Sequence, residues 1–154
     1  MTIKITDALV GEHGPLYAQL DRLALVTEGS VDAIRSCSEL LAAGLASHAQ
    51  LEDTLLFAAL EQRTGRDSLL EGMYEDHEQV DALLTELAGV DDPGEARVLA
   101  TRLVALARNH FAKEEKAVFP LAAQVLGEDE LVRLGEEWEY RRLETPFTLE
   151  VRQP

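Results

Sequence analysis

The chain has 154 residues, a formal net charge of −15, and 46% hydrophobic against 28% charged residues. That apolar share separates it from disordered chains, and the length predicts a single domain over residues 1–154 that can bury a core without staples. A surface this acidic repels phosphate backbones and anionic headgroups, so neither nucleic acid nor a membrane surface is expected as a partner. The lone Cys37 excludes an intrachain disulfide and a thiolate metal site, which leaves nitrogen and oxygen ligands for any metal.

Apolar residues recur at helical spacing nearly everywhere and no segment alternates as a strand does, so the fold class is all-α. Residues 1–7 lack a long apolar stretch behind a basic start, and no segment approaches membrane-span length; a cytoplasmic location is the expectation. The first helix is predicted over 7–27, with Gly14 and Pro15 marking an irregularity near its start. Ser30 caps a second helix that runs from 31 to 64 and stops at Gly65. Asp67 or Ser68 opens a third, which ends near Gly89. Asp92 followed by Pro93 starts a fourth that reaches Leu126 and stops at Gly127. A shorter fifth helix covers about 129–143, ahead of Pro146 and an irregular tail. Short connections between the four main helices predict an antiparallel up-down-up-down bundle over about 7–127, with the fifth helix and tail at 128–154.

The chain has four histidines, and each sits on an apolar stripe. On the second helix the stripe reads Leu41, Leu45, His48, Glu52, Leu55, Ala59; on the fourth it reads Leu103, Leu106, His110, Glu114, Ala117, Leu121. Residues four apart share a helix face, so each His and Glu pair points inward together. A buried carboxylate needs a compensating charge, and no Lys or Arg lies on either stripe: Lys113 and Lys116 project to other faces. A cation held between helices is the economical answer.

One His-x-x-x-Glu in a glutamate-rich chain is weak, but here it recurs within a repeat. Glu12-His13 and the apolar positions that follow align with Asp76-His77 and theirs. His48, Glu52, Asp53 and Phe57 align with His110, Glu114, Glu115 and Phe119. Nearly the same interval separates His13 from His77 as His48 from His110, so each half contributes one lone His, one further His and one Glu. Two such halves face each other around four nitrogens and two carboxylates. Both carboxylates and a solvent-derived oxo or hydroxo group then bridge two ions. This donor set without sulfur suits iron, manganese or zinc, and a bridged pair with open positions favours two irons.

The order His, His-x-x-x-Glu, His, His-x-x-x-Glu on four helices, with Glu114, Glu115, Phe119 and Pro120 closing the last motif, resembles the hemerythrin-like, HHE cation-binding family. The resemblance spans roughly residues 13–120. It implies a non-haem di-iron centre at His13, His48, Glu52, His77, His110 and Glu114 that meets O2, NO or peroxide as carrier, sensor or iron-responsive module. Oxygen carriers of the family place two histidines one turn apart on the third helix; here the turns either side of His77 hold Met73 and Asp81, which argues against reversible O2 carriage. The Glu-x-x-His pattern of ferritin-like bundles is absent.

Among neighbouring residues, Asp53 and Glu115 are expected as solvated or intrahelical charges. Tyr17 and Tyr74, each about one turn from a histidine, are candidates to bond a metal-bound oxygen. Phe57 and Phe119 are expected in the core, and Trp138 with Tyr140 as anchors of the fifth helix. No catalytic residue is singled out. Three functions are weighed: a protein that binds or senses a small oxidant or iron, a di-iron peroxidase or oxidase, and a structural bundle with incidental metal affinity. No protein partner is identifiable.

Overall fold

The computed structural model describes residues 2–144, and every regular element among them is helical. In chain order these are α1 (Ile5–Val26), α2 (Val31–Leu51), α3 (Ala58–Thr64), α4 (Ser68–Gly89), α5 (Pro93–Lys113), α6 (Phe119–Leu126) and α7 (Glu128–Glu144). The predicted second and fourth helices are each a continuous helical run whose middle is a π-helical turn, Glu52–Phe57 between α2 and α3 and Glu114–Val118 between α5 and α6. None of the described helices is long and apolar enough to cross a membrane. The predicted tail beyond 144 lies outside the described residues.

The predicted starts of α2, α4 and α5 hold because a side chain meets an orphan amide of each first turn. Ser30 accepts from the Ala33 amide, Asp67 from Leu70 and Asp92 from Glu95. Gly65 and Gly127 take φ of 75° and 79° at the ends of the two long runs, a region that disfavours a Cβ. Helix α1 starts at Ile5, earlier than predicted, because Ile5 is fully buried beneath α7 and its turn closes on the Lys4 carbonyl. The irregularity predicted at Gly14-Pro15 does not form. Pro15 lies inside α1 on its exposed side, and the carbonyl it leaves unpaired belongs to exposed Gly11, where water can serve it.

Helix α1 packs on α2, α5 and α7, and α4 packs on α2 and α5. Two apolar clusters fill the interior. One takes Leu16, Leu20 and Leu23 from α1, Ile34, Leu41 and Leu45 from α2, Val80 to Leu87 positions from α4, and Leu99, Leu103 and Ala107 from α5. The other takes Ile5 and Leu9 from α1, Leu55 to Leu60 positions beyond α2, Leu70 and Met73 from α4, and Val118, Phe119 and Ala122 beyond α5. The histidines fall between these sets on α1, α2, α4 and α5, so a polar layer separates two apolar ones. Helix α7 closes the second cluster with Leu131 and Leu134. Its approach depends on Gly135, where a Cβ would lie 1.9 Å from the Ile3 carbonyl oxygen.

The π-helical turns correct the predicted stripes. An i→i+5 turn inserts one residue, which rotates everything after it on the helix surface. Beyond Glu114 the inward residues are therefore Val118 and Ala122, while Ala117 is exposed and Leu121 half-buried. Beyond Glu52, Leu55 stays buried, but Leu60 takes the inward place predicted for Ala59.

Candidate metal centre

Six polar side chains from α1, α2, α4, α5 and the two π-helical turns meet in the layer between the clusters. His13, His48, His77, His110, Glu52 and Glu114 are all buried, the two glutamates completely. The π-helical turns begin at these two glutamates, each four residues after a histidine of the same helical run, so the regular helix before each turn sets the carboxylate inward.

The ligand atoms form two groups. His13, His48, Glu52 and Glu114 can each present one donor within 4.8 Å of all the others, and so can Glu52, His77, His110 and Glu114. Both carboxylates belong to both groups. His13 Nε2 lies 2.9 Å from Glu114 Oε2 and His110 Nε2 lies 2.5 Å from Glu114 Oε1. Glu52 repeats the pattern, with Oε1 at 3.2 Å from His48 Nε2 and Oε2 at 3.4 Å from His77 Nε2. The Nε2 atoms of His77 and His110 face each other at 2.9 Å.

These approaches are close, yet most are not hydrogen bonds. His13 Nε2, His48 Nε2 and all four oxygens of Glu52 and Glu114 are buried with no hydrogen-bond partner, the angles being wrong for donation. Buried polar atoms left this way are costly and uncommon. Lone pairs converging on a shared centre, from imidazole and carboxylate alone, fit a divalent metal of the iron, manganese or zinc type.

The other ring nitrogen of every histidine is held from outside the centre. His13 Nδ1 bonds Glu115 at 2.8 Å, His48 Nδ1 bonds Glu12 at 2.7 Å, His77 Nδ1 bonds Asp53 at 2.8 Å, and His110 Nδ1 bonds Asp76 at 3.1 Å. An ionised carboxylate only accepts, so each bond keeps a proton on Nδ1 and frees the Nε2 lone pair for the interior. Asp53 and Glu115 are therefore not the solvated charges the sequence suggested. Lys113 is also tied in: its ammonium bonds Asp76.

The pattern is twofold in sequence as well as in space. Glu12 and Asp76 immediately precede His13 and His77, and each serves the histidine of the adjacent helix. Asp53 and Glu115 immediately follow Glu52 and Glu114, and each serves a histidine of the other half. The acid-His alignment of the repeat carried the signal for Glu12 and Asp76; nothing in the spacing indicated which ring they would hold.

Without a metal the cluster holds protons. Burial opposes charge on His48, but the Glu52 carboxylate and the bond to Glu12 prevail and raise it to about 10. At His77 burial and the charge of His110 are outweighed by the bond to Asp53 and the nearby Glu52 carboxylate, giving about 9. His110 rises against its burial to about 11 through Asp76 and Glu114. Glu52, though burial favours its neutral form, is held well below the usual carboxylate range by His48, with His110 and His77 adding to it. A cation entering the site displaces those protons.

Aromatic rings line the layer in matching places. Phe57 stacks on His77 at 5.7 Å and Phe119 on His13 at 5.8 Å, while Phe111 lies 4.3 Å from His13. Of the two tyrosines, Tyr74 turns its hydroxyl away from the centre. Tyr74 donates to Glu61 at 3.3 Å and carries the Arg66 guanidinium over its ring, and burial beside Glu61 and Asp53 raises its hydroxyl to about 12. Tyr17 sets its ring edge-on to His13 and has no hydroxyl partner among the described residues. Trp138 anchors α7 as expected, donating to Glu12 at 3.0 Å; Tyr140 does not, being exposed and bonded within α7 to Glu144.

A cavity of about 20 Å³ touches the centre on one side, room for a molecule the size of water. His48, His77 and His110 line it together with Leu45, Phe111 and the exposed Asp81.

Residues 4–133 match the hemerythrin HHE cation-binding domain, and the chain belongs to that family. No curated protein and no solved structure matches the chain.

Proposed function

With that membership as premise, we propose that the chain is a single-domain di-iron protein that binds or senses a small oxidant, O2, NO or peroxide. His13 and His48 hold one ion, His77 and His110 the other, and Glu52 and Glu114 serve both. The observation that carries this reading is the pair of four-donor groups sharing two fully buried carboxylates whose oxygens have no hydrogen-bond partner. Manganese and zinc share the donor preference, and the symmetric sharing of carboxylates favours a redox pair. We also propose that the four main helical runs form an antiparallel up-down-up-down bundle with α7 as a short fifth helix. The cluster membership supports it: residues after His13 and His77 pack with residues before His48 and His110.

When bound, an iron pair supplies electrons and Lewis acidity to a small ligand. The chain's own part is preparation. Glu12, Asp53, Asp76 and Glu115 keep the Nδ1 protons in place and fix the ring planes. Phe57, Phe111 and Phe119 exclude water, and the cavity beside His77 and His110 has the size of a diatomic, not of an organic substrate. Met73 is fully buried among apolar residues and Asp81 stands at the cavity wall, so no fifth imidazole joins the set. That supports sensing or reaction over reversible carriage.

Metal analysis of the purified protein with its ultraviolet-visible spectrum tests the proposal. About two irons per chain with charge-transfer absorption are expected, and His110→Ala should lower the iron content sharply. Full iron retention in that variant, or zinc in place of iron, would overturn it.

A further inference from the structure

The twofold pattern of the outer carboxylates breaks at one place. Asp76, which holds His110, is itself held by Lys113 from α5, the helix that bears His110. Its counterpart Glu12, which holds His48, is held instead by α7. Arg142 reaches Glu12 Oε1 with Nε at 2.7 Å and Nη2 at 2.6 Å, and Trp138 Nε1 donates to the same oxygen at 3.0 Å. Oε2 is left free for His48. Arg142 also bonds the Ser47 hydroxyl, next to His48 in the chain. The equivalent of Lys113 on α2 is Leu51, which has no charge to offer, so the first half has no cation of its own for this acid.

We infer that Arg142, assisted by Trp138, is a positioning residue: through Glu12 it sets the hold of the His13/His48 position, and so couples the docking of α7 to one half of the metal centre. The inference rests on the metal-binding reading above. The other position takes its support from Asp53 in the first π-helical turn and from Asp76 and Lys113 on α4 and α5, none of which Arg142 touches. By linkage, an ion at the His13/His48 position stabilises the docked α7 in return, and a partner that draws α7 away loosens that ion first. Arg142 touches no ligand atom, and its effect passes through the carboxylate that orients the ring.

The test is a Zn(II) titration of metal-free protein, followed by the ring 15N signals of the four histidines, in the native chain, Arg142→Ala, Arg142→Lys and Lys113→Ala. Arg142→Ala should raise the Zn(II) concentration that half-saturates His13 and His48 by about tenfold, with His77 and His110 changed by less than about twofold. Lys113→Ala should do the reverse, and Arg142→Lys should recover part of the loss. Equal shifts for both pairs, or none, overturn the inference. A native chain whose signals ignore Zn(II) sinks the metal reading instead. In that event the metal-free spectra still decide the positioning role: Arg142→Ala must move the His48 Nδ1 signal and leave that of His110, and an unmoved His48 signal overturns it.

Discussion

Replacing Glu52 by Gln keeps the volume and removes the charge of a carboxylate that both donor groups share. Both metal positions lose an anionic ligand at once. With free metal at about 1,000 times its dissociation constant, each bound ion stabilises the native chain by about 4 kcal/mol, or roughly 8–16 °C for a domain near this size. A thousandfold weaker site at the same metal concentration keeps only about 0.4 kcal/mol, a shift of roughly 1–2 °C. The metal-free protein should respond far less. Glu52 is completely buried, so the variant escapes the cost of desolvating a carboxylate, which offsets part of the attraction to the protonated imidazoles that it loses, and those imidazoles can release their protons. Calorimetric melting of the native chain and Glu52→Gln, each with and without anaerobic Fe(II), separates the effects. We expect metal-free midpoints within about 5 °C of each other and a metal-dependent rise in the native chain alone. A variant that keeps the full rise would refute the shared-carboxylate site; one that fails to fold without metal would make Glu52 a structural residue.

The metal-free and metal-loaded proteins should also differ in pH dependence. His48, His77 and His110 are raised to about 10, 9 and 11, so their contribution is complete below the ordinary value of 6.5 and is lost as pH rises through 9 to 11. Glu52 is depressed, so its contribution is present above 4.5 and is lost as pH falls through its lowered value. The metal-free midpoint should thus be highest between about pH 5 and 6.5 and drop by pH 9, while the loaded protein, its protons already displaced, should not drop; parallel curves would contradict the site. Glu115→Ala frees His13 Nδ1 and should weaken metal binding about 10–100-fold with helicity unchanged, as read by titration and circular dichroism. Unaltered affinity would make that bond incidental. Gly135→Ala sets a methyl group against the Ile3 carbonyl, backbone that cannot turn aside, and should cost about 1–3 kcal/mol. An unchanged melting midpoint would show that α7 can shift without loss.

Much of this protein was legible in its sequence, because helical periodicity, caps and ligand spacing are local properties. Ser30, Asp67 and Asp92 announced their helices, Gly65 and Gly127 ended them, and the repeat brought six side chains to one inferred centre that the structure assembles. Only the tertiary structure decided how that centre is supported. Asp53 and Glu115 read as surface charges because their partners lie on other helices, and Tyr74 read as a pocket residue because spacing alone does not show a hydroxyl turned towards Glu61. The π-helical turns at Glu52 and Glu114 were invisible to a fixed 3.6-residue period, although they set which residues beyond them face inward. Nor could the sequence place Arg142 against Glu12, far apart along the chain. Spacing determines which residues share a helix face; which faces meet, and which charge settles on which ring, depends on how the helices pack.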